Sequence, residues 1–231
     1  LKALNIEFDE LQKLVEAVIV LGELTPRIKA RIISKGELLS SIVIGHALTK
    51  SGIATCRLDA RRFIVTNDEY LQARSIITEI ESHTPAEIES AFNSGCKAVI
   101  TQGFIGATSA GETSVLGRGG SDYSASLIGM AVSASAIEIW TDVDGVKTAD
   151  PRRVANTQSI SRISFEEAAE MAHFGAKVLH PLTIEPAVMK NIPVYVLNSL
   201  NQENSGTEIV NYDDVEDGVK SISFKEEIVL M

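Results

Sequence analysis

Apolar residues fall three and four apart near the start of the chain, at Leu11, Leu14, Val15, Val18 and Ile19, which predicts an amphipathic helix over 9–21. A second helical face follows Pro26. It runs through Ile28, Ile32, Ile33, Leu38, Leu39, Ile42, Val43 and Leu48 and stops at Ser51-Gly52, a C-terminal signal. The run 53–58 then reads as a strand, 69–81 and 85–92 as helices, and 98–102 as a short buried strand. An alanine- and serine-rich helix is predicted over 121–135 and a strand over 137–141. Downstream, 164–174 reads as a helix capped by Ser164 with Glu166 and Glu167 in its first turn, 181–190 as another helix, and 193–197 as a strand. Beyond the acidic, turn-like 211–217, the stretches 219–224 and 228–231 read as two further short strands. Helices alternating with short apolar strands predict an α/β fold with a mostly parallel sheet covered on both faces. Ligands of such sheets sit beyond the carboxyl ends of the strands.

Composition narrows the classes. With 231 residues and 45 % hydrophobic content, the chain has material for one large domain, or one domain plus a fragment. No apolar run approaches the roughly 20 residues needed to span a bilayer, and the first ten residues do not read as a secretion signal. A formal charge of −10 argues against nucleic acid as a partner, so any anion must be held locally. Cys56 and Cys96 lie far apart without metal-ligand spacing and read as reduced core residues of a cytoplasmic protein.

Four segments carry candidate chemistry. The run Leu116-Gly117-Arg118-Gly119-Gly120-Ser121-Asp122-Tyr123 places glycines and an arginine before a helix start, a recipe for an anion site, although the same pattern also serves as a glycine loop with Ser121 as a cap. The run from Ile139 to Arg152 leaves a strand and gathers Thr141, Asp142, Asp144, Lys147, Asp150 and Arg152. Its carboxylates suit ribose hydroxyls or a Mg²⁺-bound phosphate and its cations suit phosphates; Asp144-Gly145 is equally an ordinary turn. Lys177 lies in the connection Phe174-Gly175-Ala176-Lys177-Val178-Leu179-His180-Pro181, where it is placed to reach a phosphate or simply to be solvated. Gly36, inside a predicted helix at a cost of roughly 1 kcal/mol relative to alanine, points to a close approach there, with Glu37 beside it to receive an ammonium. Two nucleotide motifs are excluded: 106–113 has P-loop spacing but Glu112 in place of the lysine, and 117–120 lacks the Rossmann glycine spacing.

Thr101-Gln102-Gly103-Phe104-Ile105-Gly106, the 116–123 run, Trp140-Thr141-Asp142-Val143-Asp144-Gly145-Val146 and 174–181 together resemble the aspartokinases, in order and in spacing, over roughly 34–210. The resemblance implies the amino-acid kinase fold, a three-layer α/β/α sandwich. It also implies transfer of the γ-phosphoryl of ATP, with Mg²⁺, to the side-chain carboxylate of L-aspartate, giving 4-phospho-L-aspartate for lysine, threonine and methionine synthesis. By the same resemblance Glu37, Arg118, Gly119, Gly120, Ser121 and Asp122 bind aspartate, and Thr141, Asp142, Lys147, Asp150, Arg152 and Lys177 bind the nucleotide. Asp122 and Lys177 act in catalysis, and no protein metal site is implied. Residues 1–210 correspond to the catalytic domain, and 211–231 to a linker and the first strands of an ACT-like regulatory domain.

Three departures from the family pattern stand out. Nothing before Ser34 matches the family's Lys-Phe-Gly-Gly-Thr-Ser motif, Lys147 stands where many relatives carry tyrosine, and the regulatory region is nearly all missing. The chain thus reads as a segment truncated at both ends, weak or inactive alone, whose missing strand leaves unpaired sheet edges and favours a homo-oligomer. Another amino-acid kinase, or a fragment that binds aspartate or nucleotide without chemistry, is the alternative.

Overall fold

The computed structural model describes residues 2–150, 152–173, 181–211 and 218–222, His173 and Pro181 by their backbone only. The chain divides into two compact units, 1–124 and 125–231.

The first unit opens with three helices, α1 (Lys2–Leu21), α2 (Pro26–Ile33) and α3 (Lys35–Lys50). The predicted single helix after Pro26 is in fact two. Thr25 caps the first through a side-chain oxygen that accepts from Ile28 N, and buried Ser34 marks the break, its Oγ donating to Arg31 O at 2.8 Å. Gly36 therefore sits in the first turn of α3 rather than mid-helix, and a Cβ there would meet no atom within 4 Å. No close approach by the protein requires that glycine. Helix α1 begins earlier than predicted and buries Leu14, leaving Val15 and Ile19 exposed. Its inward stripe also carries Glu7 and Glu10, both bound to Lys35 Nζ (2.6 and 2.7 Å), and Glu10 also accepts from Arg31 (2.6 Å). Lys35 is only 2 % exposed, so a charge is buried against two carboxylates.

Two small sheets follow. Strands β1 (Thr55–Arg57) and β3 (Ala98–Ile100) pair in parallel, whereas β2 (Val65–Thr66), β4 (Ile105–Thr108) and β5 (Thr113–Val115) form the other, β2 parallel to β4 and β4 antiparallel to β5. The P-loop-like segment is thus a hairpin, and its Glu112 pairs with Arg27 at 2.8 Å. A 3₁₀ turn, Ala60–Arg62, links β1 to β2, and one helix, α4 (Ile77–Asn93), replaces the two predicted around Pro85. Burial of Ile80, Thr84 and Ala91 along one face carries the helix through the proline, whose interior penalty is roughly 3 kcal/mol. Phe63, Ile64, Leu38, Ile80 and Ile105 are fully buried in this unit.

Cys56 and Cys96 are not the reduced pair expected. The register Thr55↔Ala98 and Cys56↔Val99 brings the turn before β3 back beside β1, and the two cysteines form a disulfide with Cα atoms 5.8 Å apart.

Helix α5 (Gly120–Ala131) leads into the second unit, where β6 (Ile137–Thr141), β7 (Arg162–Ser164), β8 (Val194–Asn198) and β9 (Thr207–Val210) lie in the order β6-β8-β9-β7. β6 is parallel to β8 and β7 to β9, with β8 and β9 antiparallel, so pairing is mostly parallel in an α/β arrangement, as expected. Helices α6 (Phe165–His173) and α7 (Pro181–Met189) accompany this sheet. Ser164 does cap α6: Glu167 N donates to its Oγ (3.1 Å) while Ser164 N donates to Glu167 Oε2 (2.7 Å), a capping box. Ile137, Ile139, Ile163, Val194, Val196 and Ile209 build the core here. Residues 218–222 form no strand; the rest of the predicted tail strands lies outside the described residues.

Lys35 holds Glu10 below the usual carboxylate range through its hydrogen bond, outweighing burial, which acts the other way. Because the folded value is depressed, this stabilisation is present above the unfolded value and lost as pH falls through the folded one. Lys35→Met is expected to lower unfolding free energy by about 2–4 kcal/mol at neutral pH, with the deficit shrinking toward acid pH, as urea titrations at several pH values will measure.

Candidate functional site

The glycine-rich loop before α5 has the backbone its sequence implies. Gly117 and Gly119 lie at φ +77° and +70°, a region that L side chains rarely adopt, and Gly120 N closes the turn on Gly117 O at 3.1 Å. Gly120 is also required sterically, since a Cβ would come within 2.9 Å of the Phe104 ring. Arg118 projects from this turn, exposed, with no ion pair to any described residue. Asp122 sits half-buried in the first turn of α5, and burial pushes its carboxyl above the usual range.

Gln102, 1 % exposed, ties this loop to α3. Its Oε1 accepts from Ala60 N (2.9 Å), and its Nε2 donates to Ser41 Oγ (2.7 Å) and more weakly to Leu58 O (3.4 Å). Ser41 stands one helical turn beyond Glu37 on the same face of α3. The next residue, Gly103, packs so closely on the start of α5 that a Cβ would lie 2.9 Å from Ser121 Cα. A chain of contacts therefore runs from the Glu37 face through Ser41, Gln102 and Gly103 to Ser121. Glu37 is half-buried and, like Asp122, raised above the usual range by burial.

Phe104 is the residue that pattern reading quoted but did not single out. It adopts φ +68°, an uncommon conformation for a bulky residue, held because its N donates to Ser124 Oγ (3.0 Å) and its O accepts from Leu116 N (2.8 Å). Glycine on either side of the helix start was the available signal. Tyr123 and Ser75 also share a short hydrogen bond between their hydroxyls.

In the second unit Thr141 and Asp142 stand at the carboxyl end of β6. Thr141, opposite Asn198 in register, donates through Oγ1 to Asp142 Oδ1 (3.2 Å), and Asp142 is exposed. Asp144 accepts from Asn198 Nδ2 (2.7 Å) and Asn201 Nδ2 (3.4 Å), which hold its carboxyl low. The following turn is pinned by buried Thr207. Its Oγ1 accepts from Val146 N (2.8 Å) and donates to Ile160 O (2.5 Å), while Gly145, at φ +85°, fits directly against it. Lys147 is half-buried beyond that turn and lies close enough to Asp144 to help lower it.

Asp150 and Arg152 pair with each other. Arg152 donates from Nε (3.0 Å) and Nη2 (2.7 Å) to the two carboxylate oxygens and from its backbone N (2.9 Å), which takes Asp150 down to about 2. Arg152 is thus an exposed guanidinium with one fork occupied. Lys177, His180 and the rest of 174–180 lie outside the described residues.

The amino acid kinase family model matches residues 3–198. Lysine-sensitive aspartokinase 3 of Escherichia coli (strain K12) is 41 % identical over 212 residues, covering 90 % of this chain and 47 % of that protein. The aspartokinase of Chlamydia trachomatis is 40 % identical, covering 88 % and 47 % respectively. The crystal structure of E. coli aspartokinase III in complex with aspartate and ADP superposes with a TM-score of 0.80 at 39 % identity, over 90 % of this chain and 47 % of that one. The chain spans about half the length of these relatives.

Burying Glu37 and Asp122 without a cation opposes folding. Their folded values are raised, so the penalty is absent below the unfolded value and fully present once pH exceeds the folded one. Glu37→Gln and Asp122→Asn are each expected to raise Tm by about 1–3 °C at pH 7, with no gain near pH 4, in calorimetric scans.

Proposed function

Because the chain belongs to the amino acid kinase family, we propose that it forms the aspartate- and nucleotide-binding core of an aspartokinase, which moves the γ-phosphoryl of ATP onto the side-chain carboxylate of L-aspartate. The observation that carries this reading is the presence, within one unit, of an exposed Arg118 guanidinium with no ion pair among the described residues and of half-buried carboxylates at Glu37 and Asp122 that no cation answers. L-Aspartate bears one ammonium and two carboxylates. A uridylate acceptor carries no ammonium and offers Glu37 only neutral donors. The relatives named as aspartokinases and the relative crystallised with aspartate and ADP support the same choice.

In this reading Arg118 takes a substrate carboxylate in a two-pronged contact, and Glu37 takes the ammonium. The backbone of Gly119, Gly120 and Ser121 offers N–H donors at the start of α5, where helix geometry leaves such groups unpaired. The acceptor oxygen is thereby positioned, which is most of what phosphoryl transfer asks of a protein. Asp122, desolvated in the first turn of α5, joins this set in substrate binding and catalysis on its family position. On the nucleotide side Thr141, Asp142 and Lys147 sit beyond β6, with Arg152 available to phosphates through the fork not committed to Asp150. Lys177 is assigned to the transferring phosphate on its family position alone.

Mg²⁺ enters with the nucleotide, where it supplies charge neutralisation. Of the carboxylates near β6, Asp142 fits a hydrated ion best, since it is exposed and held only by a hydroxyl, whereas Asp144 and Asp150 are already engaged. Residues 1–210 act as the catalytic portion and 211–231 as the lead into a regulatory domain. Strands β3 and β6 each pair on one edge only among the described residues, which favours a homo-oligomer. Light scattering after size exclusion is expected to show a dimer or higher species; a monodisperse monomer contradicts this.

Calorimetric titration tests the acceptor. L-Aspartate is expected to bind in preference to glutamate, acetylglutamate and UMP, and Arg118→Ala to weaken it about 10- to 100-fold, the value of a charge-assisted hydrogen bond or two. Equal or tighter binding of UMP, or an unchanged affinity in Arg118→Ala, sinks the assignment. ADP release from Mg-ATP with the same acceptors then reports turnover.

A further inference from the structure

We propose that Cys56 and Cys96 form a reversible thiol–disulfide modification site that exchanges with low-molecular-weight disulfides of the glutathione class. The pair joins β1 to the turn entering β3 across a separation of 40 residues. Both cysteines are half-buried, and the turn around Cys96 is open: Ser94, Gly95 and Lys97 are exposed, with Gly95 at φ +96°. A small thiol therefore has a route to the bond without opening the core. Ser94 Oγ lies 3.6 Å from Cys56 Sγ and 3.8 Å from Cys96 Sγ and donates its own proton to Ala91 O (2.7 Å), so it is placed to accept from either thiol once the bond is open.

The exchange balances without another reactant. One cysteine thiolate attacks the small disulfide, forming a mixed disulfide and releasing one small thiolate; the second cysteine thiolate attacks the protein sulfur of that mixed disulfide and releases the other. The two cysteines lose two protons and two electrons, and the oxidant leaves as two small thiols. Reduction runs the same steps backwards.

The bond has a defined structural consequence. Lys97 N and Ala98 N both donate to Ala54 O (2.7 and 3.2 Å), so without the bridge the turn is held to β1 by backbone bonds alone. Strand β3 leads straight into Gln102 and Gly103. Closure of the bridge therefore stiffens the strand pair from which that segment emerges.

The test titrates the purified chain through mixtures of glutathione and glutathione disulfide, traps free thiols with a maleimide and reads intact mass. Both thiols are expected to vanish together as the mixture becomes oxidising and to return in excess glutathione, with far-ultraviolet circular dichroism unchanged. Cys56→Ser and Cys96→Ser are each expected to take up one glutathione per chain. Reduction is also expected to speed amide exchange over 93–98 and to lower Tm by about 5–10 °C. Thiols that persist in excess glutathione disulfide overturn the proposal. So does a bridge that excess glutathione opens only when the chain unfolds, because the pair is then a permanent staple; if the serine variants fail to fold, the titration of the unsubstituted chain decides.

Discussion

The candidate acceptor site depends on one buried amide. Gln102 is 1 % exposed, and its side chain is shared by three segments with no local reason to meet: the 3₁₀ turn through Ala60, helix α3 through Ser41, and the end of β1 through Leu58. A buried amide is costly unless its donors and acceptor are met, so these partners fix one another's positions. The alternative, an apolar residue at 102, would leave the N–H of fully buried Ala60 without this acceptor. Because Gly103 packs directly on Ser121, the geometry that Gln102 sets is handed on to the start of α5. An exposed loop of glycines could not hold Arg118 and Asp122 in place by itself.

The carboxylates of the chain sort by neighbour rather than by depth. Burial pushes Asp59 up, yet the Arg61 guanidinium beside it more than reverses that, and Glu10 is lowered in the same manner by Lys35. Glu37 and Asp122 are raised because nothing cationic answers their burial, although each sits in the first turn of a helix, where the dipole favours a negative charge. Structural carboxylates have their cations built in, and these two do not. On the reading proposed above, the cation that Glu37 lacks in the folded chain is the substrate ammonium, which is the physical content of that assignment.

Legibility in the sequence followed the length of the signal. Strand 137–141 matched its prediction residue for residue, and Ser164 was recognisable as a cap because the serine-to-glutamate spacing is itself the mechanism. Strands β2, β4, β5, β7 and β9 went unread, since two to four residues hold no period to detect. Pro85 was over-read as a boundary, because its penalty is local while the packing that outweighs it is tertiary. The partnership of Cys56 with Cys96 had no sequence signal at all; it follows from a parallel register set by β1 and β3. At the site, glycine spacing disclosed the loop around Arg118, but neither Gln102 as its anchor nor the commitment of Arg152 to Asp150 could be seen without coordinates.

The second unit solves its positioning problem with a hydroxyl in place of an amide. Thr207 is fully buried on β9, accepts from Val146 and donates to Ile160, and thereby closes the turn after β6 onto the sheet. The two glycines that flank this arrangement are needed for different reasons. Gly145 clears Thr207 itself, whereas a side chain at Gly206 would overlap the Val196 carbonyl, and both residues lie at positive φ. The Asp-Gly pair at 144–145 is therefore a turn, and the geometry that glycine permits is what places Asp144 against Asn198 and carries the chain on to Lys147. Of the two readings left open by sequence alone the structure shows the turn, and the turn leaves room for the nucleotide role proposed above, because a binding loop on a parallel sheet has to be a turn whose backbone is already fixed before any ligand arrives.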